Sequence, residues 1–337
     1  MIEASRCPQC GAELPGESPP GVCPACLLKL GLSGAVPAYR ETPSRPPGRK
    51  RHLKAIAATA IVAAILAAMS LVTRGQAPRQ RVVRFQIPVP DEASFALSPD
   101  GTQLAYSGGG HLFVRPLDSF AVRDLSGVDG AQHPFWSPDS RWIGFASGGK
   151  LRKIAASGGP VEVLCDAPRL TGGAWNAEGE ILFGDGPVLY RVSAGGGERS
   201  RLFDLDSSRQ ELTYRYPQLL PGSRRFLFTA VSAKPENSGI YAGEPGRRIK
   251  VLSGGIIAAV AEGYLLAERG GALVAIPFDA ARLQTRGDIR LVRFAEQVQL
   301  FSVAGSTLAY RSGPVNPSEA DNGSINVVLN WAEDLRH

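Results

Sequence analysis

One short pattern recurs along most of this chain at a nearly constant interval. Ser98-Pro99-Asp100-Gly101 precedes the apolar Leu104-Ala105-Tyr106, Ser137-Pro138-Asp139-Ser140 precedes Ile143-Gly144-Phe145, and Asn176-Ala177-Glu178-Gly179 precedes Ile181-Leu182-Phe183. Fainter copies keep the register: Leu220-Pro221-Gly222-Ser223 before Phe226-Leu227-Phe228, Ala261-Glu262-Gly263 before Tyr264-Leu265-Leu266, and Ala304-Gly305-Ser306 before Leu308-Ala309-Tyr310. The residue in the position of Gly101 falls at 101, 140, 179, 223, 263 and 305. Six units of about 40 residues match the length and number of blades in a six-bladed β-propeller. A unit of that size cannot bury its apolar faces alone, so the copies must stack on one another.

Within a unit, Pro presets φ for a tight turn and Gly accepts the positive φ that follows. The turn joins an apolar pair such as Phe135-Trp136 or Ala174-Trp175 to a short β-prone strand. Glycine turns then lead to further strands, at Leu112-Phe113-Val114, Leu151 to Ile154 and Leu189 to Val192. A fourth strand follows another polar break, as in Val161-Glu162-Val163-Leu164. Nothing between residues 82 and 313 holds apolar residues at a helical period for three turns, so the expected class is all-β. Trp and Tyr at fixed repeat positions read as blade packing. The last unit needs partners from both ends, and Ile325 to Leu329 with Arg81 to Phe85 is the pairing expected to close the ring.

Ahead of the repeats lies a different physics. Ala55 to Thr73 carries no charge, Gly or Pro over 19 residues, enough for a helix to span a bilayer. Arg40, Arg45, Arg49, Lys50, Arg51 and Lys54 precede it, against Arg74, Arg79, Arg81 and Arg84 after it. The denser cluster is expected to stay in the cytoplasm, which puts the N-terminus inside and the repeats outside a bacterial inner membrane. The basic run also accounts for much of the net charge of +6 without nucleic acid. Ala60, Ala64 and Ala68 are spaced so that two such helices could pack.

Four of the five cysteines fall before the span, as Cys7-Pro8-Gln9-Cys10 and Cys23-Pro24-Ala25-Cys26. A two-residue gap lets both sulfurs of one knuckle face a single ion, so Cys7, Cys10, Cys23 and Cys26 are the expected ligands of a structural Zn2+. Disulfides are disfavoured on the cytoplasmic side, and a redox CxxC needs a βαβ context that a segment of this length cannot supply. Metal binding would provide most of the folding free energy of so small a head. Few basic and no aromatic residues accompany the knuckles, which favours protein contact over nucleic acid. The expected organisation is therefore a zinc ribbon at 1–32, a basic Pro-rich linker at 33–54, a transmembrane helix at 55–73, a linker at 74–81, a six-bladed propeller at 82–331 and a tail at 332–337.

The SPDG-type turns followed by an apolar strand resemble TolB-type, WD-like propeller repeats. Ribbon, span and propeller together resemble bacterial transmembrane serine/threonine kinase receptors, some of which begin with a CPxCG...CPxC ribbon like Cys7 to Cys26. The ending Ile325-Asn326-Val327-Val328-Leu329-Asn330-Trp331 resembles the terminal segment of those propeller chains. The family carries its kinase between ribbon and span, where this chain has only Ser33 to Lys54. The phosphate loop, the VAIK-type lysine, HRD and DFG are all missing, so the resemblance does not extend to kinase activity.

Hydrolase signatures are missing too, since no GxSxG elbow occurs. His111 and His133 read as exposed loop residues, Asp100 and Asp139 as caps of their own turns, and Cys165 as a buried apolar side chain. The expected function is non-enzymatic: a single-pass membrane protein whose propeller binds a protein, peptide or envelope ligand, while the head contacts a cytoplasmic partner, an intact kinase included, in a signalling role. The alternatives are a propeller hydrolase or lactonase with a metal in the channel, and a receptor-kinase fragment without its catalytic domain.

Overall fold

In the computed structural model of the chain, which describes residues 7, 9–11, 26 and 80–336 apart from 91–92, 221, 245–246, 293–297 and 314–322, the repeats become six antiparallel sheets. The first three repeat turns are closed by their own side chains. In the first, the Gly101 N–H donates to the Ser98 carbonyl at 2.8 Å and the Thr102 N–H to the Asp100 carboxylate at 3.0 Å. The Ser98 hydroxyl donates to Asp100 and accepts the Gln103 N–H at 2.9 Å. Ser137 and Asp139 repeat this arrangement, taking the Trp142 and Arg141 N–H groups at 2.9 and 3.1 Å. In the third turn Asn176 substitutes, its Oδ1 accepting the Glu180 N–H at 2.7 Å. The fifth turn dispenses with a cap and places Glu262 and Gly263 at φ of 50° and 77°.

Blade 1 comprises Phe95–Leu97, Gln103–Gly108, His111–Pro116 and Arg123–Asp124; blade 2 comprises Gln132–Trp136, Trp142–Ser147, Lys150–Ala155 and Glu162–Asp166. Blade 3 is built from Leu170–Trp175, Glu180–Asp185, Val188–Ser193 and Ser200–Arg201, and blade 4 from Glu211–Leu219, Phe226–Ser232, Gly239–Glu244 and Arg247–Ser253. Blade 5 orders Ala258–Ala261, Tyr264–Arg269, Ala272–Asp279 and Gln284–Thr285, with Arg290–Leu291 also pairing its third strand. In every blade the first strand named is the innermost.

The core is divided among the seams between blades. Leu112, Trp136 and Phe145 fill the seam of blades 1 and 2; Phe135, Leu164 and Phe183 that of blades 2 and 3; Leu182, Tyr214 and Phe228 that of blades 3 and 4. Leu227 and Leu265 lie between blades 4 and 5, Leu266 and Tyr310 between 5 and 6, Leu104 and Ile325 between 6 and 1. The alternation of the strand sends neighbouring residues to opposite seams, as Leu265 and Leu266 show. The Phe135 ring lies so near the backbone that a Cβ added at Gly144 or Gly173 would come within 2.3 or 2.4 Å of it.

Blade 6 is assembled from both ends of the propeller, as expected. Val298–Ala304, Thr307–Ser312 and Ser324–Leu329 are followed by Val83–Pro88, paired antiparallel from Val83 with Leu329 to Pro88 with Ser324. Pairing begins two residues later than Arg81, because the Arg81 carbonyl instead accepts the Asn330 side-chain amide at 2.8 Å. The final residues pack as well: a 3-10 segment over Trp331–Arg336 buries Trp331 completely, and its indole N–H donates to the Gly305 carbonyl at 3.1 Å. Leu335 is buried and Asp334 pairs with Arg84. Within the stretch expected as a tail at 332–337, Asp334 and Leu335 therefore pack against the propeller.

Contacts divide the chain into two units, Met1–Ala77 and Pro78–His337. Residues 33–54 and the expected span at 55–73 lie outside the described residues. Among the described residues no helix is long and apolar enough to cross a membrane.

Candidate functional site

The six innermost strands surround a channel of about 760 Å3, lined by all six blades. They run in one direction along it. His133 N–H donates to the Ser94 hydroxyl at 2.8 Å, the Trp136 indole to the Ala96 carbonyl at 2.9 Å, and Asp100 N–H to the Ser140 hydroxyl at 3.3 Å, so blades 1 and 2 step together. One end of the channel thus collects the strand starts, and the other the repeat turns. Both ends of the propeller chain lie at the turn end, beside Asn330 and Gly305.

The start end is shaped by a recurring irregularity. Register breaks between Gln132 and Phe135, Leu170 and Gly173, and Arg215 and Gln218 mark bulges in the innermost strands of blades 2, 3 and 4. Counting back from each repeat turn, His133, Gly172 and Tyr216 occupy the same place, and all three are left-handed, with φ of 52°, 126° and 53°. Glycine tolerates that conformation; His and Tyr adopt it at a cost. Such bulges redirect side chains at the rims of closed β architectures. The result brings His133, Thr171 and Tyr216 to one mouth.

His133 departs from its sequence reading as an exposed loop residue: it is half-buried in the channel wall, and burial lowers its pKa below the ordinary imidazole range. His111 does lie at the surface, 3.5 Å from the Asp124 carboxylate. Asp100 and Asp139 cap their turns, and hydrogen bonding from Ser137 and then from the Arg141 backbone holds Asp139 below the usual carboxylate range. Cys165 is half-buried in blade 2, its thiol pushed up to about 11 by burial. A thiol so raised is a poor nucleophile at neutral pH.

Charge is scarce in the channel. Among the described lining residues the ionised side chains are Glu178 and Arg224, at the turn end and 3.9 Å apart. His133 at the mouth and Glu178 at the turns therefore sit at opposite ends of the channel. In the N-terminal unit the Cys7, Cys10 and Cys26 sulfurs lie within 4.8 Å of one another, with Cys7 and Cys26 at 3.9 Å; Cys23 lies outside the described residues. Tetrahedral thiolates at about 2.3 Å from zinc stand about 3.8 Å apart, so these three fit such an ion.

No family model and no curated protein sequence matches the chain. Solved structures do. A gluconolactonase from Xanthomonas campestris aligns with a TM-score of 0.53 at 14% identity, covering 75% of this chain and 91% of that one. The β-propeller domain of Myceliophteria thermophila Cps50 (Swd1) aligns at 0.52 and 14% identity over 73% of this chain and 99% of that one. The PQQ-bound aldose sugar dehydrogenase of Streptomyces coelicolor aligns at 0.51 and 14% identity, over 75% and 99%. At such identities what is shared is the β-propeller fold.

Proposed function

We propose that this chain is a non-enzymatic binding protein, its propeller of TolB type taking a ligand at the channel mouth formed by the strand starts. The observation that carries this reading is the lining: among the described residues it is a mostly neutral, partly aromatic wall, with one imidazole, His133, and one carboxylate, Glu178, at opposite ends of the channel. General acid–base chemistry needs two groups within reach of one substrate, and a metal needs convergent donors. The mouth lies at the end of the propeller opposite the one where its own first and last strands meet, beside Asn330 and Gly305.

In the same reading residues 55–73 anchor the propeller outside a bacterial inner membrane. Cys7, Cys10, Cys23 and Cys26 hold a structural zinc in a cytoplasmic head that contacts a protein, and the resemblance to kinase receptors makes an intact kinase the first partner to test. The competing reading is a propeller hydrolase or lactonase with a channel metal.

Affinity capture from envelope extracts with the full chain tests the binding reading, and His133→Asn and Tyr216→Asn variants should lose whatever is captured. Metal analysis separates the alternatives: one zinc per chain, abolished by Cys7→Ser with Cys26→Ser, is expected. A second metal that survives those substitutions and supports lactone hydrolysis would displace the binding reading.

A further inference from the structure

Around the mouth and the upper channel lie several polar groups without partners. Tyr216, Gln218 and Trp175 line the channel, and among the described residues no hydrogen bond engages the Tyr216 hydroxyl, the Gln218 amide or the Trp175 indole N–H. Trp136, one blade earlier in the place of Trp175, does spend its indole N–H on a neighbouring carbonyl, at 2.9 Å. The Thr171 hydroxyl is buried and likewise unpartnered, though it faces Gly184 and not the channel. The channel therefore presents a phenol, an amide and an indole N–H, from blades 3 and 4, with capacity to spare.

Half-buried donors and acceptors of this kind find partners in a ligand or in ordered water. The ligand's chemistry follows from what is present and what is missing. An anionic ligand needs a cation or a run of backbone N–H groups, and the channel's Arg224 is already beside Glu178 at the far end. A cationic ligand needs a carboxylate or an aromatic cage, and among the described residues the mouth has neither. An added β-strand needs a free backbone edge, yet in blades 1, 2 and 6 the Ala96 carbonyl and the His133 and Leu97 N–H groups are taken by Trp136, Ser94 and Ser302. What remains is an uncharged ligand that offers a face to an aromatic ring and many hydroxyls or amides to neutral polar side chains. A cavity of about 760 Å3 is within the range used for small-molecule ligands.

We infer that the channel binds a neutral oligosaccharide entering at the mouth, with Tyr216 there as the ring against which a sugar packs, and Gln218 and, toward the turn end, Trp175 as hydrogen-bonding groups. This rests on the binding reading above and narrows it to one ligand class.

The test uses the full chain in a polyoxyethylene detergent, so that no glycoside headgroup competes. Calorimetric titration compares maltotriose and tri-N-acetylchitotriose with trigalacturonate and with N-acetyl-triglycine amide. At least one neutral trisaccharide is expected to bind, with an affinity unchanged between 50 and 500 mM NaCl because no ion pair forms (about the range over which charged contacts are screened). Tyr216→Asn, which removes the ring in a residue type that tolerates positive φ, and Gln218→Met should each weaken that binding at least about tenfold, the loss of one good contact. Both variants must melt like the parent, and Trp175→Phe supplies a third substitution if either does not. Binding of neither trisaccharide at millimolar concentration overturns the inference, as does sugar binding that survives all three substitutions or tighter, salt-sensitive binding of trigalacturonate. Preference for the capped peptide, lost in Tyr216→Asn, would overturn the saccharide class while leaving the binding reading intact.

Discussion

Phe135 shows how a single side chain dictates its neighbours. Its ring is seated against Gly144 of its own blade and Gly173 of the next, both at ordinary negative φ, so glycine is there for space and not for backbone freedom. Alanine at either position forces the ring or the strand to move, and overpacking of this kind costs about 1–3 kcal/mol. Gly144→Ala should therefore lower the melting midpoint, by about 2–4 °C per kcal/mol in a domain of this size, while Gly179→Ala strains a positive φ with no ring to displace. If Gly144→Ala melted like the parent, the close approach would be wrong. His133 makes a pH-dependent prediction. Burial lowers its folded pKa, so the unfolded chain binds the proton more readily. The stability it contributes is full above the unfolded value of about 6.5 and is lost as pH falls through the folded pKa. The melting midpoint should drop as pH falls below about 6.5, and His133→Asn, compatible with the left-handed backbone, should flatten that part of the curve.

At the level of strands and turns, most of blades 1 to 3 is legible in the sequence, because Ser-Pro-Asp-Gly and its variants at Ser137 to Ser140 and Asn176 to Gly179 encode a turn through local chemistry alone. Closure by residues 324–329 and 83–88 was legible for the same reason: both are alternating β-prone runs left over at the ends. The bulges were not. Nothing in Gln132-His133-Pro134 or Arg215-Tyr216-Pro217 announces a left-handed residue, since His and Tyr are held there by strands on either side. The polar seam of blade 4 was equally silent: Glu211 is buried against Arg248 at 3.1 Å and shares a hydrogen bond with Tyr214, a pairing that only tertiary proximity reveals. Trp331 lies between these cases, a residue visible in the sequence whose job is clear only in the fold. Trp331→Ala empties the end of the seam between blades 5 and 6 and should cost about 3–5 kcal/mol. Removal of residues 324–337 should go further and abolish cooperative melting of the propeller; an unchanged midpoint would show that Val83–Pro88 does not close the ring.

For the whole molecule, the propeller's two ends share one face, and the chain that precedes residue 80 joins it there. With residues 55–73 as a span, reporters fused after Leu32 and after His337 should report opposite compartments, the first cytoplasmic. A common compartment for both would remove the membrane reading. The shared sixth blade has one more consequence, for how the protein is made. Val83–Pro88 is among the first parts of the propeller to leave the ribosome, yet its partner Ser324–Leu329 is nearly the last. Over the synthesis of almost the entire domain the earliest strand has nothing to pair with, so the blades can stack in order of appearance but the circle shuts only once Ser324–Leu329 has been made. Export across a membrane during that interval would deliver an open, five-bladed arc with an exposed edge, and the arrival of Ser324–Leu329 would decide whether it becomes a ring or a substrate for proteases.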